Sequence, residues 1–176
     1  SSRIDSARRQ IERASKIVEA MRGFVGHLEH VGESVDLHDV VADCEYFVRL
    51  RAADAGVEVV VEPNATQVVV RCERVLTGQV LLNFCFNAID EMAAGGGSRL
   101  RIVVRPGDGV GVVSVEDEGR GIARDPFVDS FTSKERGSGI GLALSYRIIT
   151  RQRGSVWAER RDEGGSRFSF ALPLAD

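Results

Sequence analysis

Apolar residues repeat with a helical period at the start of the chain, then change period several times. Between residues 3 and 28, Ile4, Ile11, Val18 and Val25 hold one heptad position. Ala7, Ala14, Met21 and Leu28 hold the other, and Ile17 and Phe24 widen the seam. Four heptads with Arg, Glu, Gln and Lys between them predict a helix packed in a coiled coil or helical bundle. One helix cannot bury that stripe on itself. Its mate is expected upstream in a longer parent protein or in a second subunit, with packing onto the rest of the chain as the alternative. After Gly26 and Gly32 the pattern restarts: Asp36 is placed to cap a helix through Val40, Val41, Cys44, Phe47, Val48 and Leu50 that closes near Gly56.

The β-branched runs 57–62 and 67–72, separated by Pro63 and Asn64, predict two strands before the next helix. That helix, Glu73 to Met92, is apolar over most of its surface, yet Gln79, Asn83, Asn87 and Asp90 fall in one line along it. An amide buried without partners costs roughly 1–3 kcal/mol, so the line needs either a satisfied hydrogen-bond network or a polar ligand with its metal. Gly95-Gly96-Gly97 ends the helix. Residues 99–105 and 110–116 flank Pro106-Gly107-Asp108-Gly109, a hairpin signal. A helix fits 140–151, and 155–160 with 167–172 close the chain as a further strand pair. The order predicts an α+β fold with a helix layer on one face of a mostly antiparallel sheet.

Composition narrows the function classes. The 176 residues, 19.1 kDa and 43% hydrophobic content suit one medium domain plus an appendage. A net charge of −3 offers no general attraction to nucleic acid or anionic lipid, and no nucleic-acid signature is present. No apolar run reaches the length of a membrane span, so no membrane contact is expected of this fragment. Cys44, Cys72 and Cys85 are odd in number and sit among apolar neighbours, which suits reduced core thiols in the cytosol better than disulfides or zinc.

The chemistry gathers around two glycine clusters. Directly after the strand ending at Glu116 comes Asp117-Glu118-Gly119-Arg120-Gly121-Ile122. A carboxylate fixed at a strand end can accept a hydrogen bond from an exocyclic amine, and the glycines let a flat ring approach the backbone. The same residues also suit an ordinary turn. Then Phe131-Thr132-Ser133-Lys134 leads through Gly137-Ser138-Gly139-Ile140-Gly141-Leu142 into an amphipathic helix, whose exposed N–H groups and N-terminus suit phosphates with Lys134 as a point charge. A flexible linker is the alternative. The spacing matches neither the dinucleotide glycine fingerprint nor the Gly-x-x-x-x-Gly-Lys-Ser/Thr loop.

In this order and at these distances, the asparagine helix, the Asp-x-Gly-x-Gly turn and the Phe-Thr-Ser-Lys and Gly-Ser-Gly-Ile-Gly-Leu segments closely resemble the catalytic, ATP-binding domain of sensor histidine kinases. The resemblance covers 34–176, including Val35-Asp36-Leu37, Gly164-Gly165-Ser166-Arg167-Phe168 and Leu172-Pro173. It implies the two-layer α/β sandwich of the Bergerat, or GHKL, ATP-binding fold. Residues 1–33 resemble the second helix of the dimerisation and phosphotransfer hairpin. Carried over by residue, Asn87 is the Mg²⁺ ligand, with Asn83 and Asp90 beside the phosphates. Asp117 reads the adenine amino group with Ser166 nearby through water. Gly119, Gly121 and Ile122 shape the base pocket, and Lys134, Gly137, Ser138, Gly139, Gly141 and Leu142 form the lid and phosphate loop. Mg²⁺ keeps several waters, so one asparagine plus phosphate oxygens is sufficient.

The implied activity is transfer of the ATP γ-phosphoryl to a histidine outside this chain, for relay to the aspartate of a response regulator receiver domain. The full-length protein is then expected to be a homodimer with this portion in the cytoplasm, and a membrane anchor elsewhere in the parent stays open. Two departures stand out. Glu91 replaces a small or aromatic residue, and the segment from Ile122 to Lys134 is short for the family's lid. The acceptor histidine is expected to be absent, because His27 and His30 follow the first helix and His38, although followed by Asp39, begins a helix of the ATP domain itself. Two other readings remain: a nucleotide-sensing scaffold without transfer, and a GHKL ATPase. The ATPases place a water-activating glutamate where Asn83 stands, and an amide cannot take that proton.

Overall fold

The computed structural model describes residues 32–128 and 139–176, Gly139 and Ile140 by backbone alone, together with Asp5, Arg8, Arg9 and Arg13. The chain divides into two compact units, Ser1–His30 and Val31–Asp176. In the first, the four described residues are helical and exposed; the heptad seam itself lies outside the described residues.

The second unit runs β1 (Glu33–Asp36), α1 (Leu37–Ala55), β2 (Glu58–Val61), β3 (Val69–Cys72), α2 (Arg74–Gly95), β4 (Arg99–Pro106), β5 (Val110–Glu116), α3 (Gly139–Arg151), β6 (Ser155–Arg160) and β7 (Ser166–Pro173). Five strands form one sheet in the order β2-β4-β5-β7-β6, and β1 pairs with β3 in a second, two-stranded sheet. Alternation sets the faces. Leu100, Ile102 and Val104 of β4 are buried, whereas Arg101 and Val103 between them are half-buried and Arg99 and Arg105 at either side are exposed. The buried row faces the helices, where Phe84 of α2 meets Phe168 and Phe170 of β7 at ring-centroid distances of 5.6 and 6.2 Å. Phe127, from the segment after β5, joins them 5.9 Å from Phe84. This aromatic cluster welds the helix layer, the sheet and that segment into one core.

The opposite face carries a row of alternating charge. Glu62 pairs with Arg101 at 2.8 Å, Arg101 lies 3.8 Å from Glu116, and Arg167 bonds Glu116 and Glu159 at 2.7 Å each. These are cross-strand neighbours on β4, β5, β7 and β6, with Glu62 at the end of β2.

Three expectations change. Glu33–Asp36 forms a strand that the sequence pattern did not reveal, although Asp36 caps α1 by accepting the His38 N–H at 3.0 Å. The runs 57–62 and 67–72 are strands of different sheets. β3 pairs antiparallel with β1, while β2 pairs parallel with β4, which requires the crossover that α2 provides. Asn64 turns the chain out of the large sheet, bonding the Val104 carbonyl and accepting the Thr66 N–H, both at 2.9 Å. Finally, the polar line on α2 borders the surface: Gln79, Asn83 and Asn87 are half-buried and Asp90 is exposed, so a purely internal network is not required. All three cysteines are free and buried, and burial, aided by Asp43, pushes the Cys44 thiol up to about 12.

Because Phe84 is fully buried among three rings from β7 and the segment after β5, Phe84→Ala should destabilise the chain by about 3–5 kcal/mol in urea unfolding. Phe84→Leu should cost clearly less. Equal, small losses for both would place the core elsewhere.

Candidate functional site

β5 delivers Asp117 to the end of the sheet. Its backbone N–H donates to the Ser166 carbonyl at 3.0 Å, and its Oδ1 accepts the N–H groups of Gly119 at 2.9 Å and Ser166 at 3.2 Å. Both bonds fall on one oxygen, so among the described residues Oδ2 is the acceptor left over. The side chain is only 4% exposed. Burial pushes the carboxyl above its ordinary range; the two N–H groups oppose this, Glu91 adds to it, and Arg161 partly offsets it.

The turn between β6 and β7 closes on the same peptide. Gly165 has φ +84°, and a Cβ there would lie 1.9 Å from the Asp117 carbonyl oxygen, so neither conformation nor space admits a side chain. Gly121 approaches from the other side, where a Cβ would meet the Gly165 oxygen at 3.1 Å. Gly119 bears the turn that bonds Asp117, and Ile122 is half-buried beyond it. Arg161 completes the arrangement by donating Nη1 to the Asp117 carbonyl at 2.8 Å and to the Gly164 carbonyl at 3.2 Å. Sequence reasoning missed Arg161, because Arg161-Asp162-Glu163-Gly164 reads as an ordinary charged hairpin turn.

On α2 the polar line splits between two neighbours. Asn83 donates Nδ2 to Ser145 Oγ of α3 at 3.0 Å, and a Cβ on Gly141 would sit 2.5 Å from Asn83 Oδ1. Gly141 is therefore what lets the first turn of α3, with Gly139 and the buried Leu142, lie against the amide. Asn87, one turn further on, is half-buried and lies on the same helix. Asp90 instead pairs with Arg51 of α1 at 2.9 Å, and the same guanidinium covers the Phe86 ring at 5.2 Å. Lys134, Gly137 and Ser138 lie outside the described residues.

Two further ties went unforeseen. Gln152, just past α3, accepts the Glu73 N–H and donates to Thr77 Oγ1 at 3.3 Å, capping α2 where Glu73 offers no side-chain cap. Asp125 accepts the N–H of Phe127 at 2.8 Å and that of Ala158 on edge strand β6 at 3.1 Å, docking the segment after Ile122 on the sheet. Neither residue belongs to a recognisable spacing motif.

Among the described residues no cluster of three or more His, Cys, Asp or Glu could cage a metal ion. Asn87, half-buried on α2, fits a cation that takes most of its ligands from water and phosphate. His38 sits with Nε2 3.0 Å from the Thr66 carbonyl at the start of α1; His27 and His30 lie outside the described residues.

The arrangement is an acid at a strand end, an amide row along one helix and a glycine-fronted second helix beside it. Residues 72–176 match the family described as Histidine kinase-, DNA gyrase B-, and HSP90-like ATPase. Sensor protein FixL of Bradyrhizobium diazoefficiens is 32% identical over 99% of this chain and 36% of its own length. Among solved structures, full-length ShkA in complex with AMPPNP superposes with a TM-score of 0.75 at 23% identity, covering 99% of this chain and 38% of that one. Histidine kinase ThkA in complex with response regulator protein TrrA gives 0.72 at 19% identity, covering 95% and 49%. The chain thus spans little more than a third of FixL. With a family match that runs from the end of β3 to the last residue, and a sensor-protein relative aligned over nearly all of it, the chain belongs to the histidine kinase-, DNA gyrase B- and HSP90-like ATPase family, among the catalytic domains of sensor histidine kinases.

Proposed function

We propose that residues 34–176 bind MgATP and present its γ-phosphoryl to a histidine outside this chain, for relay to the aspartate of a response regulator receiver domain. The observation that carries this is the Asp117 carboxylate, buried, saturated on one oxygen and open on the other. An acceptor so placed suits the adenine amino group, and the glycines around it admit a flat ring. Ser166, buried beside it, is close enough to hold a bridging water. Asn87 would hold the Mg²⁺, which supplies charge neutralisation for the phosphates. Asn83 and the first turn of α3 would line the phosphates, together with Lys134, Gly137 and Ser138. Asp90 would join them only by leaving Arg51.

Asn83 donates to Ser145 and its amide cannot act as a base, which supports transfer over hydrolysis. The described histidine, His38, is held by a backbone carbonyl at the start of α1, which supports an acceptor elsewhere. The ThkA complex with TrrA supports a receiver domain as partner. Residues 1–33 would then be half of a dimerisation hairpin, making the parent a homodimer. No helix among the described residues is long and apolar enough to cross a membrane, in keeping with a cytoplasmic placement of this portion.

Calorimetry with the full chain tests the base reader. Asp117→Asn should weaken ATP roughly 10- to 100-fold, the range of a hydrogen bond to a charged group, and should raise the melting temperature of the nucleotide-free chain. The second effect follows because burial disfavours the ionised form in the folded state, a penalty present in full above the raised folded value and relieved as pH falls toward the unfolded one. Unchanged ATP affinity would remove Asp117 from the base site.

The pH profile has a definite sign. The carboxyl accepts the amine best when ionised, because a proton on the open Oδ2 would make that oxygen a donor facing another donor, so ATP affinity should fall as pH drops through the raised value, beginning at higher pH than an exposed aspartate would impose. A profile flat into the ordinary carboxylate range would contradict this.

Gly141→Ala separates phosphate from base. The added methyl must displace the Asn83 amide, so ATP affinity should drop roughly tenfold or more while adenosine binding stays within about twofold. Equal losses would mean a general collapse of the site.

A further inference from the structure

Glu91 occupies a place in the site that neither the base nor the phosphate assignment uses. It follows Asn87 by four residues, hence one turn further along α2 on nearly the same face. Its backbone end also adjoins the base turn: a Cβ built on Gly119 would meet Glu91 Cβ at 3.8 Å. Glu91 therefore stands between the proposed metal and phosphate ligand, Asn87, and the proposed base reader, Asp117. In a nucleotide the group between phosphate and base is the sugar.

The side chain is equipped for that neighbour. It is 45% exposed, and Oε2 lies 3.5 Å from Arg120 Nη2. Among the described residues no other hydrogen bond reaches the carboxylate, so Oε1 is open. Vicinal hydroxyls are donors that a carboxylate accepts well. Arg120 also answers the objection that an acid would repel a triphosphate. Its guanidinium lies over Gly95, where a Cβ would come within 2.7 Å of Nε, and so sits at the C-terminal turn of α2, whose carbonyl ends favour a cation. The pair brings a hydrogen-bond acceptor to the site with its charge largely offset. The charge of Glu91 is felt at Asp117, in keeping with the place of its Cβ beside the Gly119 turn that bonds that acid.

We propose that Glu91, steadied by Arg120, accepts hydrogen bonds from the ribose hydroxyls and makes the site select ribonucleotides over deoxyribonucleotides. This rests on the assignment of Asp117 and Asn87 to base and phosphate. Calorimetry on the full chain with ATP, 2′-deoxy-ATP and 3′-deoxy-ATP tests it. The parent should prefer ATP over at least one deoxy analogue by roughly tenfold, the scale of one charge-assisted hydrogen bond. Glu91→Ala should weaken ATP by about that factor, leave the deoxy analogue nearly unchanged and bring the ratio close to one. Loss of all three nucleotides together, or tighter binding of all three as expected if Glu91 only repels phosphate, would overturn the proposal. So would a parent that binds ATP in an Asp117-dependent way without any ribose preference, and that result would leave the nucleotide reading intact. A parent whose ATP affinity ignores Asp117→Asn would instead defeat both.

Discussion

The closest approach in the site is between two backbones. The Gly164-Gly165 turn lies against the Asp117 peptide so tightly that a single methyl on Gly165 would fall within 1.9 Å of a carbonyl oxygen. Much of the site depends on this contact. It lets Ser166 reach the carboxylate with its N–H while receiving the Asp117 N–H in return, which fixes the acid at the sheet's end without any side-chain partner. It also leaves the Asp117 carbonyl bonded to Arg161 rather than stranded. A turn of this kind between β6 and β7 is thus part of the site, through its backbone and the Arg161 side chain.

The second constraint joins the two helices that carry the amide row and the glycine-fronted turn. α3 is held on α2 just past its C-terminal end by Gln152 with Glu73 and Thr77, and at its middle by Ser145 with Asn83. The second tie exists only because Gly141 is bare. A displacement of the glycine-fronted turn would therefore be felt first at an amide of the asparagine row, one turn from Asn87. The proposed phosphate contacts and the proposed metal ligand are in this way linked mechanically, through a hydrogen bond and a steric contact rather than through the core.

What could be read from sequence follows from how local each feature is. The β4–β5 hairpin was legible because Pro106-Gly107-Asp108-Gly109 separates two alternating runs, and α2 because its apolar period spans over twenty residues. That Asp117, Gly119 and Gly121 share one turn at the sheet's end was legible because they lie at short spacing directly after a strand. β1 was not, since four residues with one buried valine carry no period. The parallel partner of β2 was not, because a β-branched run announces a strand and says nothing of its neighbour. Asp90 was aligned correctly with the asparagines, yet α1 supplies Arg51 close by and draws it aside. Arg161, Gln152 and Asp125 act on backbone groups brought near only by the fold, and such contacts leave no spacing in the chain.

The outer sheet face shows how the same economy of partners operates away from the site. Glu116 is nearly buried between Arg101 and Arg167, and Arg167 in turn reaches Glu159. Each inner member has an opposite charge on both sides, so no charge among them is left without compensation at the cost a desolvated ion would incur. Ser114 and Ser169 bond each other at 2.8 Å in the next row, satisfying the hydroxyls that β5 and β7 bury there. A face whose polar groups are matched across strands has little need of a covering layer. That is why the apolar rows of all five strands can face one way, toward α1, α2 and α3, and why the sandwich stops at two layers.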